Sequence, residues 1–172
     1  MIGQVRPHAP ADPERPFGDA PTLPDIAAVL RHALGAALAP DAGGLLEMCA
    51  EDVVFEFPFT PWDDRARLEG RAALADYLGE LGAIVALGEM TVPTVHRSDD
   101  GETFTLEFSA AVTSRVNGRA LVQRYVALVR ARDGRIVHYR DYWDPLVAHA
   151  ATASPETGEG SGAVRGGSAG RG

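Results

Sequence analysis

The chain contains no lysine; all 16 of its basic residues are arginine. Against 24 acidic residues they leave a formal net charge of −8. Nucleic acids and anionic membranes are bound through clustered basic stripes, so an acidic chain without one is a poor candidate for either. Cysteine is almost as scarce. The single Cys49 excludes an internal disulfide and offers no zinc-ligand spacing; it is expected as a buried thiol on an apolar helix face. No apolar run approaches the ~20 residues of a membrane span. The start lacks a charged segment followed by an apolar one, as a secretion signal would have. A soluble, cytoplasmic protein is expected. Also missing are a glycine-rich phosphate cradle, a nucleophile elbow and any His/Asp/Glu spacing suited to a metal. Neither cofactor nor metal is therefore expected.

With 172 residues and 45 % of them hydrophobic, the chain can bury one ordinary core. Composition divides it into three. Residues 1–21 are rich in proline and small side chains, and 150–172 are Gly/Ser/Ala/Thr with scattered charges. Such segments bury too little to offset their ordering entropy, so both are expected as disordered tails around a compact unit at 22–149.

Thr22-Leu-Pro-Asp25 resembles a capping box. After it Ile26, Val29, Leu30, Ala33, Leu34, Ala37 and Leu38 share one helical face. Asp41 can cap a shorter helix carrying Leu45 and Cys49. Residues 52–58 read as a strand closed by Pro58, and 59–69 as an irregular loop. A third helix places Leu74, Tyr77, Leu78, Leu81 and Val85 on one face and ends at Gly88. Three turn pairs, Asp100-Gly101, Asn117-Gly118 and Asp133-Gly134, then separate four strands at about 89–97, 102–116, 119–132 and 135–143. Helix, helix, strand, helix and four strands make an α+β domain, with helices on one face of a curved antiparallel sheet.

Two-residue turns at Asn117-Gly118 and Asp133-Gly134 set Ser109 opposite Val126 and Val126 opposite Asp141. One face then carries Glu107, Ser109, Arg124, Val126, Leu128, Val137, Tyr139, Asp141 and Trp143, a mixture suited to a pocket wall. The other carries Phe104, Leu106, Phe108, Tyr125, Ala127, Val129, Ile136 and His138. A single bulge would exchange part of these sets. Three helices cannot cover both faces, so self-association through the sheet is expected.

Phe55-Glu-Phe-Pro58 in the first strand, Leu68-Glu-Gly70 before the third helix and Arg140-Asp-Tyr-Trp-Asp-Pro145 at the end resemble the nuclear transport factor 2-like superfamily, in particular its SnoaL-like group. The resemblance spans about residues 24–147. It implies a cone-shaped, cystatin-like α+β barrel around one deep pocket, commonly a homodimer packed through the sheet. Arg140-Asp-Tyr-Trp-Asp144 is similar to the Arg-Asp-Tyr-Phe-Asp of limonene epoxide hydrolases, and the match places Asp141 at a catalytic aspartate. Their companion Arg-x-Asp falls on Glu107-Phe-Ser109, where neither residue matches. The base of ketosteroid isomerases falls on Phe57. Tyr139-Arg-Asp141 resembles a Tyr-Arg-Glu segment of phenazine-biosynthesis proteins. SnoaL-like polyketide cyclases close rings by acid–base chemistry without a cofactor.

Asp141 is thus the leading catalytic candidate: in an apolar cavity its pKa rises, letting it exchange a proton near neutral pH. Glu107 would be a second carboxylate beside it, and Arg124 would orient an acid or stabilise an enolate. Glu56, Trp62, Ser109, Val126, Tyr139 and Trp143 are candidate pocket residues for a hydrophobic or aromatic substrate. His96 and His138 are read as ordinary strand residues. Two functions stay open. One is an isomerase, cyclase or lyase of secondary-metabolite (antibiotic-type) biosynthesis, a hydrolase being the lesser option. The other is a non-catalytic binding or scaffolding member of the same fold.

Overall fold

The computed structural model describes residues 15–61 and 65–154. In chain order these form β1 (Thr22–Leu23), α1 (Ile26–Leu34), a 3-10 turn (Gly35–Ala37), α2 (Leu45–Met48), β2 (Cys49–Glu56) and β3 (Arg67–Glu69). There follow α3 (Arg71–Ile84), β4 (Val85–Thr91), β5 (Thr94–Arg97), β6 (Thr103–Ser114), β7 (Ala120–Arg132), β8 (Arg135–Trp143) and α4 (Pro145–Thr152). The eight strands make one curved, unclosed sheet in the order β1-β4-β6-β7-β8-β2-β3, with β5 on β6. Its pairings are antiparallel except β2 on β8, which run parallel. The helices pack on its concave side, where Leu30, Met48, Leu74, Leu106 and Ile136 are fully buried.

Several local expectations are corrected. Asp25, rather than Thr22, caps α1, accepting a hydrogen bond from the Ala28 N–H at 2.8 Å, while Thr22 and Leu23 pair with β4. Residues 67–69, expected as loop, add strand β3 to the edge of β2. Val85 opens β4 instead of closing α3. Cys49 begins a strand; it is buried, and its thiol pKa is pushed up to about 12 by desolvation.

The expected tails at 1–14 and 155–172 lie outside the described residues. Within the C-terminal stretch, however, residues 145–152 form α4. Asp144 caps its start by accepting from the Leu146 N–H, and Pro145 occupies the first turn, where its missing N–H costs nothing. The β6–β7 hairpin holds the other end. Ser114 Oγ donates to the Ala151 carbonyl at 2.6 Å, and Asn117 Nδ2 donates to those of Ala150 and Ala153 at 3.0 and 2.9 Å.

Two turns decide which side chains share a face. Asp133 and Gly134 have φ of 52° and 77° and join Arg132 directly to Arg135, the expected two-residue turn. At Asn117-Gly118 the loop is longer, so Thr113 pairs with Ala120 and Ser109 faces Arg124. That slip of two residues leaves the faces unchanged. The decisive departure lies in β8. Ala131 pairs with Ile136 but Arg130 with His138, so Val137 is an extra residue, a β-bulge. Beyond it every side chain of β8 changes side. Asp141 pairs with Ala127, not Val126, and moves with Tyr139 and Trp143 to the concave face; His138 moves to the convex one.

Candidate functional site

The concave face, α3 and α4 enclose a cavity of about 520 Å³. Its wall is built from Phe55 and Phe57 of β2, Leu74, Tyr77, Leu78 and Leu81 of α3, and Phe108 of β6. Gln123 and Tyr125 of β7, Tyr139, Asp141 and Trp143 of β8, and Val147, Ala148 and Ala151 of α4 also line it, as does Arg65. The aromatic rings are braced in pairs. Phe55 stacks on Tyr139 at 4.7 Å between centroids, and Phe57 on Tyr77 and Phe108 on Tyr125 at 4.9 Å each. Such pairing fixes the rings and keeps the wall preformed.

Among the described residues Asp141 is the sole acid in that wall. Its Oδ1 is buried and has no hydrogen-bond partner. The residue as a whole retains some accessible surface, which is the surface it presents to the cavity. Burial, with no compensating charge, pushes the carboxyl from 3.8 up to about 7. A carboxylate deprived of water without a partner is disfavoured against its neutral acid, and that penalty is what moves the pKa.

Three tyrosines surround this group. Desolvation, and then the charge of Asp141, push Tyr77 up to about 12 and hold Tyr125 and Tyr139 above their usual range. All three therefore remain protonated at neutral pH and keep their O–H donors. Arg65, the cation in the wall, forms an ion pair with Glu80 at 2.6 Å, and both side chains are substantially exposed.

The opposite face is polar chemistry of another kind. Glu56 lies opposite Arg140 in the β2–β8 pairing. Its Oε2 accepts from Arg140 Nε at 2.9 Å and lies 2.8 Å from His138 Nε2, while Oε1 accepts from Arg67 at 2.9 Å. Hydrogen bonds from Arg140 and His138 hold its carboxyl below the usual range.

Of the residues expected in the pocket, the structure therefore brings together Asp141, Tyr139 and Trp143. Glu107, Ser109, Arg124 and Val126 stand on the convex face because the β8 bulge turned Asp141 away from them. Glu56 also points outward, into its cluster of cations. Trp62 lies outside the described residues. Tyr77, Phe108 and Tyr125 were legible only as apolar-face positions, and Gln123 and α4 were not anticipated. The Asp144-Pro145 pair was available as a helix-start signal but reads equally well as a strand stop. Among the described residues no group of three or more His, Cys, Asp or Glu could hold a metal ion. None of their helices is long and apolar enough to cross a membrane.

Comparison with known proteins agrees with this fold. A family model described as "SnoaL-like domain" matches residues 23–139. The protein YesE of Bacillus subtilis (strain 168), itself described as uncharacterized, is 39 % identical over 71 % of this chain and 83 % of its own. An uncharacterized PhzA/B-like protein of Pseudomonas aeruginosa is 30 % identical over 69 % of this chain and 83 % of its own. Among solved structures, the "Putative Isomerase from Bacillus subtilis" is 37 % identical with a TM-score of 0.62, covering 73 % of this chain and 92 % of that one. A "putative polyketide cyclase" of Xanthomonas campestris shares the fold at 21 % identity and a TM-score of 0.57, over 73 % of this chain and 94 % of its own.

Proposed function

Starting from the fact that this chain belongs to the SnoaL-like family, we propose that it performs general acid–base chemistry on a small apolar molecule held in the aromatic cavity. Asp141 carries the proton. The observation that supports this is a buried carboxyl, its Oδ1 without a hydrogen-bond partner and its pKa raised to about 7, set in a largely apolar wall. With that pKa the group exists in both forms near neutral pH, so it can accept a proton from a carbon acid and return it within one turnover. The tyrosine hydroxyls beside it can donate to the oxygen of a developing enolate. Proton removal and return at different atoms is an isomerisation; removal followed by departure of a β-hydroxyl, which takes up that proton and leaves as water, is a dehydration; attack of the enolate on a carbonyl carbon of the same molecule, whose oxygen then takes the proton, is a ring closure. Solved structures described as a "Putative Isomerase", a "putative polyketide cyclase" and a "phenazine biosynthesis-related protein" favour a substrate from secondary metabolism.

The test is Asp141→Asn, which keeps the shape and removes the base. Turnover of the substrate by this variant should fall ~10²-fold or more; unchanged turnover would take Asp141 out of the mechanism. A second reading, binding without conversion, is favoured by the cavity having, among the described residues, one acid and no second carboxylate or histidine beside it. It predicts tight binding and unaltered ligand.

The convex face suits pairing with a second copy. Val126 is 40 % and Phe59 55 % exposed there, the latter edge-on to Tyr142. A homodimer would cover these apolar groups. Val126→Asp should convert it to a monomer in light scattering, and a monomeric parent protein would refute the pairing.

A further inference from the structure

We infer that the cavity accepts hydrophobic monocations, amines or quaternary ammonium compounds, with the positive charge set against Asp141 and the alkyl groups among the aromatic rings. This names a ligand class for the proposed site and rests on Asp141 facing the bound molecule.

Charge bookkeeping across the cavity wall supports it. Each basic side chain near Asp141 is committed elsewhere: Arg65 to Glu80, and Arg140, the next residue along β8, to Glu56 on the other face of the sheet. Among the described residues, the remaining titratable groups that face Asp141 are Tyr77 from α3, Tyr125 from β7, and Tyr139 within β8, with Cys49 of β2 beyond Tyr139. All are neutral at physiological pH. Among the described residues the one cation of the wall, Arg65, is already paired with Glu80, and Oδ1 of the desolvated carboxylate has no hydrogen-bond partner. A ligand that brings a positive charge gains a strong, unscreened attraction. Its substituents meet tyrosine and tryptophan rings, whose π-faces attract cations more than neutral groups. Among its described residues the wall holds one acid, so a single positive charge is matched there and a second is not. A zwitterion would place its own carboxylate in apolar surroundings, and the one arginine of the wall already has a partner.

Ligand and proton compete for Asp141. A cation binds the ionised carboxyl, whereas a neutral carbonyl compound accepts a hydrogen bond from the protonated one. Two fluorescent probes of similar size separate the cases: trimethyl-[2-(naphthalen-2-yl)ethyl]ammonium, charged at every pH, and the neutral 4-(naphthalen-2-yl)butan-2-one. Titrated into the full-length protein, the ammonium should bind about tenfold more tightly at about pH 8 than at about pH 6. The ketone should show the opposite trend. Asp141→Asn should weaken the ammonium about tenfold or more at about pH 8 and flatten both pH profiles. The wild-type titrations stand by themselves if that variant folds poorly. Ammonium binding that is absent, or indifferent to pH, overturns the inference; if the ketone still follows the protonation of Asp141, the proposed acid–base reading survives. If neither probe responds to pH, both fall together.

Discussion

Glu56 and Asp141 sit on neighbouring strands and on opposite sides of one sheet, and the contrast between them explains the molecule. Glu56 is surrounded by Arg140, Arg67 and His138, and its pKa is lowered. Asp141 has the cavity in front of it, no partner for Oδ1, and a raised pKa. The same functional group is a structural tie in one place and a poised acid in the other. What separates them is the supply of compensating charge. Arg140 and Asp141 are adjacent in the chain, so the pleat sends the cation out and the acid in. The arginine that could have neutralised Asp141 spends its hydrogen bonds on Glu56.

The largest test of that contrast is to remove the inner acid. Asp141→Asn should abolish most turnover, as described above, and should also change how stability depends on pH. The folded protein keeps a proton on Asp141 that the unfolded chain releases. The stabilisation is thus complete below 3.8 and is lost as pH rises to about 7. Across that window the loss is about 4 kcal/mol. Denaturant titrations of Asp141→Asn should lack this decline and show a more stable protein than the parent at about pH 8; a steeper decline would contradict the assignment.

Removing the outer acid should do something different. Glu56→Gln should cost about 1 kcal/mol, screened by salt, because the pair is partly exposed. Its lowered pKa gives a stabilisation present above 4.5 and lost as pH falls below it, the mirror image of Asp141. The pH–rate profile should be unchanged, and a shifted profile would mean that the two faces communicate.

The smallest effect concerns the wall that α4 contributes. Asn117→Ala removes donors to the Ala150 and Ala153 carbonyls at the end of that helix. It should destabilise by about 1 kcal/mol. Hydrogen exchange should quicken in residues 146–153 while β6 to β8 keep their protection.

Much of the architecture was legible because its signals are local. Asp133-Gly134 supports positive φ at both central positions, and the spacing of the turn pairs marks out the long strands. The spacing of Leu74, Tyr77, Leu78 and Leu81 placed α3 and the face it buries. Asp141 could be singled out from its aromatic neighbours and from the Arg-Asp-Tyr-Trp-Asp ending. Its companions could not. They depend on Val137, and nothing in Ile136-Val-His-Tyr139 distinguishes a bulged residue from a paired one, since Ile136, Val137 and Tyr139 are all strand formers and His138 marks no break. One uncounted residue sufficed to attach Asp141 to Glu107 and Arg124 instead of to Tyr77 and Tyr125. The helix α4 was obscured for another reason. An alanine-rich segment has little periodicity of its own, and its position depends on long-range hydrogen bonds from Ser114 and Asn117.

Carboxyl ¹³C NMR of the protein, followed through pH with Asp141→Asn to identify the resonance, tests the poised-acid account most directly. The account predicts a midpoint near 7 for Asp141. A midpoint at or below 3.8 would show a carboxylate that is hydrated or paired, and would contradict it.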